Sequence, residues 1–149
     1  MARDRATRAR HLARELLVKA LYQWQIAGHA VPELQAQFSA AEDFERCDGD
    51  YFRELLATIV REAPALDEQI GRYAVRAIEQ LDAVGRAVLL LGLAELKHRP
   101  DVPTKVVINE AIELTKRYGT TDSHKFVNAV LDKAAREGKR DAPAHEAKS

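Results

Sequence analysis

The stretch from Val102 to Gly138 restricts the fold more than any other part of the chain, because its apolar residues recur with helical spacing. The run that ends before Gly119 places aliphatic side chains on one side and charged ones on the other, as in an amphipathic helix. Asp122 and Ser123 follow, and their short oxygen-bearing side chains can accept hydrogen bonds from the first amides of another helix. We therefore predict two helices joined at Gly119.

Composition extends this helical prediction to the whole chain. Hydrophobic residues make up 46% of its 149 residues, with Ala and Leu abundant, which favours helix over sheet. We expect an all-α fold, a compact bundle of about seven helices in two packed subdomains. It would form one domain with halves over residues 1–80 and 81–138, followed by a disordered polar tail over 139–149. No apolar run approaches the length of a membrane span, so we expect a cytoplasmic protein without membrane contact.

The N-terminal half begins with a helix predicted from about Ala6 to Ala27, with Gly28 as its stop. A short helix with a proline in its first turn should follow through Phe38. An acidic, turn-like loop then leads to Asp50, which we interpret as a helix cap.

The middle of the chain contains further apolar runs with helical period. Pro64 is predicted to separate two of these helices, because proline lacks the amide that an interior position needs, and a short helix is predicted over 75–81. The segment 82–98 is apolar on nearly every side, which predicts a central buried helix. Gly85 and Gly92 lie on one side of it, so close approach of another backbone is a hypothesis, with simple tolerance as the alternative.

Charge is sorted along the chain although its formal net value is zero. Residues 1–29 contain six Arg or Lys against two acids, residues 30–85 five against twelve, and residues 86–149 twelve against nine. Basic ends can present a face to a polyanion while the acidic middle repels it. Accidental sorting is the alternative.

No pattern in the sequence argues for catalysis. The five histidines lack the spacing of a helical zinc site, and glycine-rich phosphate loops are missing. Cys47 lies among acids, which would raise the pKa of its thiol. Glu110 and Glu113 share a helix face, but without a histidine or metal ligand they indicate a solvated face. We predict a protein that is not an enzyme and holds no metal or cofactor.

Two regions have the residue types of an RNA interface. Tyr22 lies on a helix face opposite the apolar stripe, shared with Arg8, His11, Val18 and Ile26. Cations beside an aromatic ring suit phosphate contact and base stacking, although packing against another helix, or closing a weak homodimer, would use the same face. The second region runs from Asp122 to Phe126, where free amides at a helix start favour a phosphate. Phe126 would stack a base or belong to the core.

A longer pattern in the C-terminal half has fixed internal spacing. It comprises Val107-Ile108-Asn109-Glu110-Ala111 with Glu113-Leu114, Tyr118-Gly119, Asp122-Ser123-His124-Lys125-Phe126-Val127-Asn128 and Val130-Leu131-Asp132. This pattern resembles the bacterial transcription antitermination factor NusB family. Weaker similarity covers Ala20 to Trp24, Tyr51-Phe52, and Leu81 through Leu96.

The resemblance implies a non-enzymatic factor that binds boxA RNA together with NusE, a small-subunit ribosomal protein, within the RNA polymerase antitermination complex during ribosomal RNA transcription. The RNA-binding residues that it implies are Arg5, Arg8, Arg10, Arg14, Tyr22, Asp122, Ser123, Lys125 and Phe126. The residues that it implies for the partner are Tyr73, Arg76, Gly85 and Arg86. Gly85, Leu90 and Ala94 depart from the family's usual residues, which leaves the details of NusE docking open.

The RNA-binding hypothesis requires that the cationic and aromatic residues of the two ends converge into one patch, with Tyr22 and Phe126 at the surface. A helical protein-interaction adaptor without an RNA role is the alternative. An RNA-modifying enzyme is a third reading, since a NusB-like domain precedes some ribosomal RNA methyltransferases. It is disfavoured because no cofactor-binding domain follows in this sequence.

Overall fold

A computed structural model describes residues 2–73, 81–120, 122–138 and Arg140, and all the regular structure in them is helical. The helices are α1 (Ala2–Ala27), α2 (Val31–Ser39), a short 3-10 turn (Phe44–Arg46), α3 (Gly49–Tyr73), α4 (Ala83–His98), α5 (Thr104–Tyr118) and α6 (Ser123–Glu137). The all-α prediction is confirmed, with six α-helices in the described residues where about seven were expected. Two compact units form, residues 1–62 and 63–149, a division earlier than the one predicted.

The first unit begins with α1, which starts at Ala2 rather than at Ala6. Gly28 ends it as predicted, with a φ of 71° that a side chain would disfavour. The amide of Gly28 donates to the Trp24 carbonyl at 3.1 Å, which satisfies one of the last carbonyls of the helix. Leu17 and Leu21 supply the fully buried side of α1.

The start of α3 is capped by Asp48, not by Asp50 as predicted. Asp48 Oδ1 accepts the Tyr51 amide at 3.2 Å, so the helix begins two residues earlier than a cap at Asp50 would allow. Asp50 instead lies in the first turn, where its carboxylate accepts from Arg53 at 2.9 Å. A carboxylate there still stabilises the helix dipole.

Pro64 does not split α3, so the prediction of two helices is wrong. The helix continues from Gly49 to Tyr73 through the proline. Pro64 itself is exposed, while Ala63 and Leu66 beside it are buried. The apolar period therefore runs past the proline, and its burial outweighs the loss of one backbone hydrogen bond. The helix predicted over 75–81 falls almost entirely outside the described residues.

The second unit is built around α4, which packs against α5 and α6. Every residue from Ala87 to Glu95 is buried, which confirms the central helix predicted for 82–98. The close approach at Gly92 comes from a side chain rather than from a second backbone. A Cβ at Gly92 would lie 2.8 and 2.9 Å from the two methyl carbons of Leu131, which is itself fully buried.

Arg140 holds the connection between α4 and α5, so at this residue the chain differs from the disordered tail predicted after Gly138. Its guanidinium donates hydrogen bonds to carbonyls in the last turn of α4, to carbonyls of the residues after α4, and to one hydroxyl. These acceptors are Glu95 O at 3.4 Å, Leu96 O at 3.0 Å, Arg99 O, Val102 O at 2.6 Å and Thr104 Oγ1 at 3.1 Å. One cation thus donates to several carbonyls at and after the end of α4, two of which, Glu95 O and Arg99 O, also accept the backbone amides of Arg99 and Val102. The prediction for residues 139 and 141–149 falls outside the described residues.

We expect Gly92→Ala to lower the free energy of unfolding by about 1–2 kcal/mol, because the new methyl group overpacks against Leu131 by more than the gain in helix propensity. Urea denaturation measures the change. The control compares the single variant Leu131→Ala with the double variant Gly92→Ala/Leu131→Ala. The smaller side chain at position 131 leaves room for the new methyl group, so Gly92→Ala should cost little in this background. Additive losses in the double variant would contradict the packing argument.

Arg140→Ala should destabilise the protein by about 2–3 kcal/mol, because it leaves several carbonyls of the α4–α5 connection without a charged donor. The matched control is Arg136→Ala, whose side chain is 70% exposed and pairs across one turn with Asp132 at 3.0 Å. That control should lose about 0.5 kcal/mol or less. Equal urea midpoints for the two variants would show that Arg140 does not anchor the connection.

Candidate nucleic-acid interface

The first turns of α1 project into solvent, since residues 2–8 are exposed on every side of the helix. Further along, at 3.6 residues per turn, Arg8, Lys19, Tyr22 and Ile26 share one face. Tyr22 is 43% exposed and Ile26 is 64% exposed. This face therefore combines cations with an aromatic ring and an aliphatic side chain, all accessible to a partner.

Val18 does not belong to this open face, although the sequence placed it there. It is 2% exposed, because it lies at the edge of the buried side of α1 that also contains Leu17 and Leu21. A dimer interface formed by Tyr22 and Val18 would thus lack Val18, because this side chain is not accessible to a second copy of the chain. Lys19 was missed by the sequence prediction, and its position three residues before Tyr22 was the available signal.

Arg10 and Arg14 lie about 120° and about 80° around α1 from Tyr22, toward its buried side. Arg14 is 4% exposed, so it cannot contact RNA in this conformation as the sequence predicted. The reason is helical phase, since Arg14 stands three and seven residues before the buried Leu17 and Leu21. Its guanidinium carbon lies 5.8 Å from the centre of the Tyr51 ring, and that of Arg10 lies 4.1 Å from the same ring.

The start of α6 forms the second predicted RNA region, and its hydrogen bonds differ from the expected cap. Asp122 precedes the helix, but its side chain accepts no hydrogen bond from the first turn. Ser123 Oγ donates backwards to the Thr120 carbonyl at 2.8 Å. Asp122 and Lys125 are exposed, and Phe126 is half-buried beside the fully buried Val127. This region thus offers a cation, a carboxylate and a half-buried aromatic ring.

Comparisons with known proteins agree with this helical architecture. The model of the NusB family matches residues 11–136. The chain belongs to the NusB family. The transcription antitermination protein NusB of Alcanivorax borkumensis is 51% identical over 129 residues, which cover 87% of this chain and 86% of that protein. Its counterpart in Pectobacterium carotovorum is 49% identical over 135 residues, or 89% of this chain and 97% of that protein.

A solved structure extends the agreement to the fold. T. maritima NusB superposes with a TM-score of 0.74 at 31% sequence identity, covering 85% of this chain and 90% of that one. The family resemblance carried by Val107 to Asp132 is therefore confirmed. The two candidate RNA regions of this NusB-family protein lie in different units, α1 in residues 1–62 and α6 in residues 63–149. Their convergence into one patch stays a prediction.

The four predicted partner-binding residues have different environments in the structure. Arg86 binds Asp67 through two hydrogen bonds of 2.9 and 2.5 Å, and Gly85 is buried, with its amide donating to Asp82 at 2.7 Å. Burial is incompatible with direct docking at Gly85. Arg76 lies outside the described residues.

Tyr73 borders an open pocket of 470 Å³ in the second unit. Its hydroxyl donates to Glu137 at 3.1 Å. Leu93, Leu96 and Ala134 add apolar surface to the same pocket. Among the partner-binding residues that the structure describes, Tyr73 is thus the one placed at a cavity that a protein side chain could enter.

Cys47 has the environment of an inert thiol. The residue is 9% exposed, and burial raises the pKa of its thiol, with the neighbouring Asp48 carboxylate adding to the increase. In the part of the chain that the structure describes, no group of three or more His, Cys, Asp or Glu could hold a metal ion. No described helix is long and apolar enough to cross a membrane.

We expect Cys47 to react with iodoacetamide at pH 8 at least about tenfold more slowly in the folded protein than in urea. The thiolate is the reacting form, and a raised pKa together with burial reduces both its population and its access. The unfolded chain is the control, since its single cysteine has an ordinary environment. Equal rates in the two states would contradict the burial of this side chain.

Proposed function

We propose that this NusB-family protein is a non-enzymatic transcription antitermination factor that binds boxA RNA together with NusE during ribosomal RNA transcription. The observation that carries the proposal is the exposed face of α1, where Arg8, Lys19 and Tyr22 stand in one row. The names of its relatives support the antitermination role. The protein would act in the cytoplasm as part of the RNA polymerase antitermination complex.

The α1 face supplies both kinds of contact that single-stranded RNA needs. Arg5 and Arg8 project from exposed turns and reach phosphates without giving up a buried position. Each phosphate neutralised on a single strand contributes about −0.7 to the slope of log affinity against log salt. Tyr22 offers a ring for base stacking, which contributes about 1–3 kcal/mol per base. Arg14 is buried near the Tyr51 ring and belongs to the packing of the first unit rather than to this face.

The start of α6 adds a smaller set of contacts. Lys125 is exposed and sits in the first turn, where the helix dipole also favours a phosphate. Asp122 makes no cap hydrogen bond, so its carboxylate is available to accept from a base amino group. The half-buried Phe126 presents one edge, and Ser123 orders the turn through its bond to Thr120.

NusE would complete the binding surface. We place its docking near Tyr73 in the second unit, where the pocket beside this residue can accept an apolar side chain. Arg86 and Gly85 would act indirectly, by fixing α4 against Asp67 and Asp82. Because each partner holds part of the RNA, the pair would bind more tightly than either protein alone.

The test measures boxA RNA binding by filter retention or anisotropy, with and without NusE, over a range of salt concentrations. Arg8→Ala should weaken binding to all RNA sequences and make the salt slope shallower by about 0.7. Tyr22→Ala should weaken binding about five- to a hundredfold with an unchanged salt slope, since stacking involves no counterion release. Lys133→Ala removes an exposed cation from α6 outside both regions and is the matched control.

Arg14→Ala separates the surface role from the structural one. Because this side chain is buried, its loss should lower the thermal midpoint, whereas Arg8→Ala should leave the midpoint unchanged. Wild-type affinity in both Arg8→Ala and Tyr22→Ala would refute the α1 face as the RNA site. Binding of NusE without any binding of RNA would favour the protein-interaction adaptor.

A further inference from the structure

Asp48 connects α1 to the start of α3 through hydrogen bonds of both its backbone and its side chain. Its amide donates to the Ala9 carbonyl at 2.9 Å, and its Oδ1 accepts the Tyr51 amide at 3.2 Å. The second carboxylate oxygen, Oδ2, accepts from the Arg10 guanidinium at 3.4 Å. Hydrogen bonds to the backbone of α1 and to the backbone of α3 therefore fix the position of this carboxylate. Asp48 stays in place if the Arg10 side chain moves.

Arg10 is held less firmly by this pair than Asp48 is by the backbone. A charge-assisted hydrogen bond between these groups is normally about 2.7–2.9 Å long, so a separation of 3.4 Å indicates a loose contact. One face of the guanidinium lies over the buried Tyr51 ring at 4.1 Å, and 28% of the side chain remains exposed. Part of the Arg10 side chain is thus accessible to a ligand.

The carboxylate occupies the place that a phosphate oxygen would take at Arg10. Both are anions that accept hydrogen bonds from guanidinium. Arg3 is exposed and lies seven residues before Arg10, on the same side of α1, so the two cations form a row distinct from the one that contains Tyr22. A polyanion that follows Arg3 would reach Arg10 next and meet the fixed charge of Asp48 there.

We propose that Asp48 is an internal competitor for Arg10 that limits the affinity of α1 for polyanions. RNA competes with this carboxylate for the Arg10 guanidinium, and the negative charge of Asp48 repels the nearby phosphate. The competition therefore lowers the affinity most for RNA and other polyanions that bind mainly through phosphate contacts. It matters less for a ligand that also makes other contacts with the protein. The RNA part of this inference rests on the proposed function, whereas the competition itself applies to any polyanion.

The test compares Asp48→Asn with the wild-type protein in two assays, heparin-affinity elution and boxA RNA binding against salt. Asparagine keeps the cap acceptor for Tyr51 while it removes the charge, and Asp48→Ser serves as a second neutral capping variant. Elution from heparin should need more salt. RNA affinity at low salt should rise about three- to tenfold, and the salt slope should steepen by about 0.7, which corresponds to one further phosphate contact.

Two controls separate competition at Arg10 from a general gain of positive charge. Asp50→Asn makes the same charge change two residues away and releases Arg53 instead of Arg10. It should change affinity less than about twofold. In an Arg10→Ala background, Asp48→Asn should likewise lose most of its effect, because interacting residues show non-additive changes.

Unchanged or weaker polyanion binding by both neutral variants would overturn the proposal, as would an equal gain in Asp50→Asn or in the Arg10→Ala background. Later elution of Asp48→Asn from heparin without any RNA binding by either protein would refute the proposed function and leave the competition standing. Circular dichroism confirms that each variant is folded before these comparisons are made.

Discussion

Every residue from Ala87 to Glu95 is shielded from water, so each side of α4 has to be covered by other residues of the chain. Burial of one leucine contributes about 1.5–3 kcal/mol, and this helix buries Leu89, Leu90, Leu91 and Leu93. The helices α5 and α6 provide most of the covering surface, and Gly92 lets Leu131 approach closely. Because α5 and α6 both have to pack against α4, the connections between these helices are short, and Arg140 holds the connection between α4 and α5.

Sequence patterns predicted the helices whose apolar residues are buried in this way. They failed where a local rule conflicted with packing, and where two neighbouring residues fitted the same rule equally well. Period and composition located α4, α5 and α6, because an apolar stripe has to match helical geometry wherever a helix packs. Pro64 was misread because the rule for proline is local, whereas the buried residues on either side of it impose a continuous helix. Asp48 and Asp50 are equally good cap residues by type, and only the observed bond to Tyr51 distinguishes them.

The open face of Arg8 and Tyr22 was predictable from helical phase, whereas the residues implied by the family resemblance include some that this phase buries. The phase of each arginine relative to Leu17 and Leu21 places Arg14 inside and Arg8 outside. The same comparison of phase would have exposed Lys19 as a neighbour of Tyr22. The Tyr51 ring that organises Arg10 and Arg14 could not be foreseen, because it comes from a residue about forty positions away in the chain.

A protein with zero formal net charge has no strong overall field to attract RNA, so the proposed RNA binding has to come from local sorting of charge. The α1 face offers three exposed cations, Arg5, Arg8 and Lys19, and the start of α6 adds Lys125. A contact set of this size gives a shallow salt dependence and modest affinity on a single strand. A second protein bound beside the RNA raises the effective concentration of each contact without adding charge to this chain. The weak field of the isolated protein and its proposed reliance on a partner are thus two consequences of the same charge distribution.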